Sequence, residues 1–336
     1  MARKAFLAGV PVLLNFCASE NFKDVKKIYW IEMNDISKGK FGSMNYDNNL
    51  KVSKLITNFF GYELVKTKIY NFDSTANNKY NFDYIDDLPI ENGDIVSENV
   101  TMYQSKKFSK TQIHSFPEGA LTYNQLNNLK KVFLNYPMTG SIRKLYKKFK
   151  KRDQFLIDKQ WLIPDYFNIS KKLIKYMSEY SVLSYENINK NNDLFFNFLN
   201  QKFQLKKFIG EKKIYIHPVQ ATYPIEQYKE WFNLIKQNIF PIEIIIKRHP
   251  TDQRDYGDTF NDCKSFNSFL NSIPLEIFFS LTNVYYVGYH STTLLNLNPN
   301  RVKIIPPPNK EIMNTKMFYP GLSGLFVNKW KKHWEN

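Results

Sequence analysis

The sequence predicts an α/β protein built from two domains with parallel sheets. Three observations lead there. A chain of 336 residues exceeds one ordinary hydrophobic core and suits two domains of roughly 150 residues each. Short apolar, β-branched runs alternate with stretches of helical spacing, the pattern of strand–helix–strand units. Polar residues also gather where those runs stop, at Phe116-Pro117-Glu118-Gly119, Lys247-Arg248-His249-Pro250, Ile273-Pro274-Leu275-Glu276 and Tyr289-His290-Ser291-Thr292-Thr293. Open parallel sheets bind ligands at such strand ends.

Composition narrows the class. The apolar fraction of 43% and aromatic fraction of 16% can fill two cores, which excludes wholesale disorder despite many Asn and Lys residues. A formal charge of +16 favours anionic partners such as phosphate-bearing substrates, acidic glycans, anionic membrane surfaces or nucleic acid. Cys17 and Cys263 form neither a disulfide framework nor a zinc site, so a reducing cytoplasm is expected. The first fifteen residues imitate a signal peptide, but Pro11 splits the apolar run and Asn15 ends it early. A buried first strand is the expectation.

In order, residues 5–9 read as a strand, Gly9-Val10-Pro11 as a turn, 12–21 as a helix and 26–33 as a second strand. Gly9 and Pro11 would let backbone approach a ligand at the top of this unit, or would serve the turn alone. A helix over 51–62 and a strand over 63–71 follow, then a polar loop region to Asp94. Asp83, Asp86 and Asp87 belong to that loop, and no metal site is expected there. Residues 112–116 read as a strand, and 122–134 regain helical spacing. The basic run Lys144 to Arg152 and the Pro-containing Trp161 to Pro164 mark a domain crossing, with the boundary near residue 155. The expected domains are therefore 1–155 and 156–336.

The second half opens with helical material to about residue 208. A strand over 213–217, a helix over 224–237 and a strand over 241–247 then repeat the opening logic. Helices around 265–271 and 275–281, a strand at 283–287, a helix at 292–297 and a strand at 302–305 complete it. Trp330, Lys331, Lys332, His333 and Trp334 near the end suit a membrane interface or a helix packed on its own domain.

Each strand end offers a distinct chemistry. Glu118, in a loop bounded by Gly119, has the exposure a general base needs, though a solvated loop carboxylate looks the same. His249 would emerge from the mouth of the Ile242 to Arg248 strand, where an imidazole can donate to a phosphate oxygen. Pro250 fixes the chain after it, and Lys247 adds positive charge. Glu276 sits in the first turn of a helix after Pro274, placed either for capping or for accepting ribose hydroxyls. Ser291 and Thr292 open a helix and could seat a phosphate or cap the helix. A Walker loop and a GxGxxG are both absent, so P-loop hydrolysis and dinucleotide oxidoreduction lack sequence support.

In motif and order these elements resemble bacterial sialyltransferases of the GT-B type, above all glycosyltransferase family 52, which includes lipooligosaccharide sialyltransferases, and their polysialyltransferase relatives. That family shows an acidic-acidic-Gly motif, then His-Pro, a nucleotide-binding Glu and a Ser-Ser or Ser-Thr pair. Here Glu118-Gly119, His249-Pro250, Glu276 and Ser291-Thr292 match. His249 and Glu276 lie 27 residues apart, and Glu276 and Ser291 lie 15 apart, similar to the family.

The resemblance implies two Rossmann-like domains with parallel sheets facing across a cleft, the acceptor on the first and a CMP-sugar on the second. It implies Glu118 as base, His249 at the CMP phosphate, Glu276 on the ribose, and Ser291 and Thr292 on the phosphate. Pro117 occupies the first acidic position of the motif, so either Glu118 has taken over as base, or another carboxylate serves, or the activity is altered.

The expected activity is inverting transfer of sialic acid from CMP-sialic acid to a hydroxyl of a bacterial surface glycan, lipooligosaccharide or capsule, with no metal or other cofactor. The expected location is the cytoplasm, peripherally on the inner face of the bacterial membrane. A GT-B transferase using a related nonulosonic acid or a hexose is the alternative. More remote is a nucleic-acid or acidic-polymer binding module, motivated by Lys144 to Arg152 with Tyr146 and Phe149.

Overall fold

The computed structural model describes residues 3–35, 46–72, 87–97, 111–116, 159–162, 180–182, 185–219, 223–250, 252, 254–289, 294 and 299–308. Short runs rich in Ile, Val and Tyr pair as parallel strands in two sheets, one of seven strands and one of five. The chain divides after Ile188 into two units. This is the expected α/β class with two parallel sheets.

The first sheet contains β1 (Lys4–Leu7), β2 (Lys27–Asp35), β3 (Glu63–Phe72), β4 (Ile95–Ser97), β5 (Gln112–Ser115), β6 (Lys159–Leu162) and β7 (Tyr180–Val182). Their spatial order is β3-β2-β1-β4-β5-β6-β7. The order reverses between β1 and β4, which makes the crevice beyond their carboxyl ends the natural place for a ligand. Because β6 and β7 extend this sheet, the first unit runs past the boundary expected near residue 155. Those strands are only four and three residues long, and Pro164 beside the first imitates a linker.

At the reversal, Gly9 has φ 88°, a conformation that favours glycine, and its carbonyl accepts the Leu13 amide at 3.0 Å to start the helix Val10–Ala18. Pro11 lies inside the first turn of that helix rather than in the turn before it, where its missing N–H costs nothing. Nearly every side chain of the helix is buried, and Phe16 stacks on Phe22 at 4.2 Å and meets Phe116 edge-on at 5.8 Å. Phe116 thereby anchors the end of β5, just before Glu118. The Ala8 amide donates to Ser97 Oγ at 3.3 Å, stitching β1 to β4 where they part. Asp87, from the acidic loop, accepts the Tyr70 hydroxyl at 2.8 Å and pairs with Lys68.

The second sheet contains β8 (Ile214–Pro218), β9 (Ile244–Lys247), β10 (Lys264–Ser265), β11 (Val284–Gly288) and β12 (Val302–Ile304). Its order, β10-β9-β8-β11-β12, reverses between β8 and β11 in the same manner. The expected helix at 265–271 shortens to Ser268–Asn271, because Lys264 and Ser265 pair with β9 first. The expected helix at 275–281 is a 3₁₀ turn over Leu275–Phe278.

The helix Ile225–Ile239 covers one face. Tyr228, Trp231, Phe232, Ile235 and Ile239, spaced three and four apart, bury against Tyr215, Ile244, Ile246 and Val287. Each such side chain contributes about 1.5–3 kcal/mol. Trp231 Nε1 donates to the Ile305 carbonyl at 3.0 Å, so the indole is satisfied as well as buried.

His217 of β8 is wholly buried in this core. Its Nδ1 donates to the Val287 carbonyl at 2.9 Å, which leaves Nε2 to accept the Tyr228 hydroxyl at 2.5 Å. Desolvation pushes the imidazole down to about 4 against the carbonyl's opposing effect. Above its ordinary value near 6.5 the ring is neutral in folded and unfolded chains alike, and its contribution is whole. As pH falls from there toward 4 the unfolded chain takes up the proton first, so stability drops by on the order of 3 kcal/mol. His249 titrates over the same window. Urea midpoints measured between pH 7 and 4.5 should therefore fall, and His217→Gln should flatten part of that slope. An equal slope in the variant would count against the core histidine.

Candidate functional site

Lys247 ends β9, opposite Pro218 of β8. Alternation along the strand turns Ile244 and Ile246 into the aromatic core, and so places Lys247 on the other face. It is 6% exposed, and its Nζ donates to the Asn271 carbonyl at 2.8 Å. Desolvation lowers the ammonium to about 7, with the Glu276 carboxylate partly offsetting that effect. Sequence reading treats Lys247 as a strand-end charge; the structure buries it.

Asn271 holds this strand end from three directions. Its carbonyl takes Lys247, its Oδ1 accepts the Arg248 amide at 2.9 Å, and its Nδ2 donates to the Phe266 carbonyl at 3.0 Å. A buried amide with donor and acceptor both used fixes geometry as well as stability.

His249 is the second residue beyond β9, and solvent reaches it. Surrounding protein still disfavours its charged form. Desolvation lowers the imidazole to about 4, the Lys247 charge acts in the same direction, and Asp252 opposes both. The ring is therefore a neutral hydrogen-bonding group at physiological pH. Its carbonyl accepts the Asp252 amide at 2.9 Å, closing a turn around Pro250.

Glu276 lies in the first turn of Leu275–Phe278, half-buried, behind the N-cap Pro274, which makes no side-chain cap. Its charge acts on Lys247 and on Tyr286 of β11. Lys247 thus lies within electrostatic reach of both His249 and Glu276. The structure brings these three predicted residues, with Pro250, to one end of the second sheet.

Gly9 and Pro11 belong to the first unit, after β1. Glu118, Gly119, Ser291 and Thr292 lie outside the described residues, as do Lys144 to Arg152 and Trp330 to Trp334.

Sequence reasoning missed the cluster behind His249. The Asp252 side chain is fully buried; it pairs with Arg254 Nε at 2.8 Å and accepts the Tyr256 hydroxyl at 2.6 Å. Arg254 also donates to the Tyr223 carbonyl at 2.6 Å and contacts the Tyr256 hydroxyl, tying the loop after β8 to the loop after β9. Arg248 lies over the Tyr256 ring at 4.9 Å. Burial alone would raise the Asp252 carboxyl, but the Arg254 and Tyr256 hydrogen bonds outweigh it and hold the group below its ordinary range. Asp, Arg and Tyr at alternate positions are the one signal the sequence offers for this cluster.

Among the described residues, no helix is long and apolar enough to cross a membrane. Asp252→Ala should cost about 3 kcal/mol, because it strips a largely buried guanidinium of its carboxylate. Chemical denaturation should show a lower midpoint at unchanged slope; an unshifted midpoint would show the pair to be dispensable.

Comparison with known proteins gives little beyond this geometry. No family model matches the chain, and no curated protein matches it. Among solved structures, the chain is similar to the 2,6-sialyltransferase of Vibrionaceae Photobacterium sp. JT-ISH-224, solved with the donor product CMP and the acceptor substrate lactose. Identity there is 13%, with 91% of this chain and 71% of that one covered and a TM-score of 0.48. It is also similar to the sialyltransferase from Photobacterium damsela, at 12% identity, 90% and 74% coverage and a TM-score of 0.43. At these identities and scores the likenesses carry no argument, and the fold and site stand on the chain's own strand order and side chains.

Proposed function

We propose that the chain is a sialyltransferase that holds CMP-sialic acid on its second unit and transfers the sugar, with inversion, to a hydroxyl of a bacterial surface glycan. The observation that carries this reading is the gathering of His249 and Glu276 around the buried Lys247 at the carboxyl end of a parallel sheet. A phosphate wants a hydrogen-bond donor and positive charge, and a ribose wants a carboxylate. These residues supply all three. The motif order resembling family 52 supports the same assignment.

In the proposed reaction the acceptor hydroxyl oxygen attacks the anomeric carbon of sialic acid. The bond from that carbon to the CMP phosphate breaks, and its electron pair leaves on the phosphate oxygen. The hydroxyl proton passes to a carboxylate, for which Glu118 is the proposed base. Charge therefore builds on the leaving phosphate, and groups fixed beforehand stabilise it without reorganising.

His249, neutral at pH 7, would act first as an N–H donor to that oxygen; the approaching negative charge would raise its proton affinity as the bond breaks. Lys247, whose ammonium titrates at about 7, would add positive charge, favoured further as negative charge builds on the phosphate. Ser291 and Thr292 are proposed on the phosphate and Glu276 on the ribose. No step in this scheme requires a metal ion. The net charge of +16 supports a peripheral location on the inner, anionic face of the membrane.

Release of CMP from CMP-sialic acid, with lactose as acceptor, tests the reading. His249→Ala should lower kcat by about 10²–10³, the usual loss of one donor to a developing oxyanion, with a smaller change in donor KM. Glu276→Ala should instead raise donor KM. Absence of CMP release by the native chain, to lactose or to water, would refute sialyl transfer, and a near-normal His249→Ala rate would remove the phosphate role.

A further inference from the structure

The first unit carries an acidic group that the proposed reaction leaves unused. Glu32 of β2 is 4% exposed. Its Oε1 accepts the Trp30 indole N–H at 3.1 Å, while its Oε2 is buried without a hydrogen-bond partner among the described residues. An unpaired buried carboxylate oxygen is destabilising, so a fold with no use for it gains by replacing the residue.

Its position in the sheet is specific. β1 and β2 run parallel, and the last pair in their register is Leu7 with Trp30. Glu32 therefore stands two residues past the end of β1, level with Gly9 and one strand from the β1–β4 reversal, with three further residues of β2 beyond it. The register of β2 with β3 shifts between Trp30 and Glu32, with β3 advancing from Lys66 to Ile69 over the same step. Irregularities of this kind recur beside functional sites, where they re-aim a side chain.

The surroundings fit a neutral polar ligand. Asp47, whose charge acts on Glu32, lies in the first turn of the helix Tyr46–Phe60, and the adjacent Asn48 and Asn49 are buried. Desolvation raises the Glu32 carboxyl, with smaller effects from Trp30, Lys66 and Asp47. The Lys66 charge opposes that of Asp47 at Glu32, and a carboxylate accepts hydroxyl protons. In dinucleotide-binding parallel sheets a carboxylate about twenty residues past the first turn accepts a ribose hydroxyl; this chain lacks their glycine fingerprint, and the parallel is to the carboxylate's chemistry alone. Glu32 is 23 residues past Gly9.

We propose that Glu32 is the hydroxyl-binding carboxylate of a vicinal-diol site at the carboxyl edge of the first sheet. The diol belongs to a neutral glycan or to a ribose, and both present the same chemistry. This inference goes beyond the donor-site reading and does not depend on sialyl transfer.

Calorimetric titration of the full chain with lactose and, separately, with CMP tests it, without turnover. Glu32→Gln should weaken one of the two ligands at least tenfold: lactose where the source is a glycan, or CMP, titrated in a Glu276→Ala background that removes the ribose contact proposed on the second unit, where it is a ribose. Glu32→Leu, which removes the unpaired oxygen, should weaken the same ligand and raise the thermal midpoint of the ligand-free chain by about 2–4 °C. A merely structural glutamate predicts the reverse, a lower midpoint with binding intact.

Native affinity in Glu32→Gln for both ligands overturns the proposal, as does failure of the native chain to bind either. Should neither Glu32 variant fold, Trp30→Phe keeps the carboxylate and removes its anchor, and native affinity for both ligands in that variant overturns it equally. CMP release by the native chain is a separate measurement, so failure of the transferase reading is distinguishable from failure of this one.

Discussion

The second unit is organised around an ammonium placed where water barely reaches. Lys247 closes β9 with its Nζ on a single backbone carbonyl, that of Asn271. One neutral acceptor compensates little of the desolvation of a full charge, so the group depends on the fields around it. Glu276 supplies one of those fields, and His249 responds by remaining neutral. Were Lys247 an alanine, Glu276 would lose a nearby counter-charge, the imidazole, lowered chiefly by desolvation, would regain only part of its basicity, and Asn271 would lose one of the three contacts that fix the strand end. The buried amine thus acts on two ionisable neighbours at this sheet edge.

Geometry at that edge depends on a second, independent device. Arg254 bridges the loops that follow β8 and β9, and the fully buried Asp252 holds its guanidinium. Because the Asp252 amide also closes the turn onto the His249 carbonyl, the backbone that carries the imidazole is bound to the same cluster. A solvent-reached ring on a short loop would otherwise sample many positions, and ordering it only when ligand arrives would weaken binding. The aromatic wall of Tyr223, Tyr228 and Tyr256 excludes water from the ion pair and strengthens it.

Much of the architecture was legible in the chain because strand runs such as Ile244 to Lys247 and Val284 to Gly288 are continuous, apolar and bounded by turn residues. The helix Ile225–Ile239 was equally plain, since its buried positions fall three and four apart. Short strands were not. Lys159–Leu162, Tyr180–Val182 and Lys264–Ser265 take their conformation from pairing with neighbours distant in sequence, which local periodicity cannot reveal. The site divides in the same way. His249 and Glu276 announce themselves by standing where apolar runs end, whereas the importance of Asp252, Asn271 and Glu32 arises from burial and from partners, properties of the folded state. Lys247 was visible as a charge, but its burial follows from strand alternation combined with the helix that occupies the opposite face.

The two units share a strand order yet present opposite chemistry at corresponding edges. In the second, the buried Lys247 acts on both the neutral imidazole of His249 and the Glu276 carboxylate, a set that favours a phosphate joined to a sugar. In the first, Glu32 and Asp47 stand beside buried amides, with the backbone amides of a helix that has no acidic residue in its first turn close at hand. A carboxylate at such an edge accepts hydroxyl protons. A parallel sheet fixes where a ligand can sit, because every strand delivers its carboxyl end to the same side. The charges at that side then decide which ligand it is, and here the order of five strands, used twice, carries a buried ammonium at one edge and a buried carboxylate at the other.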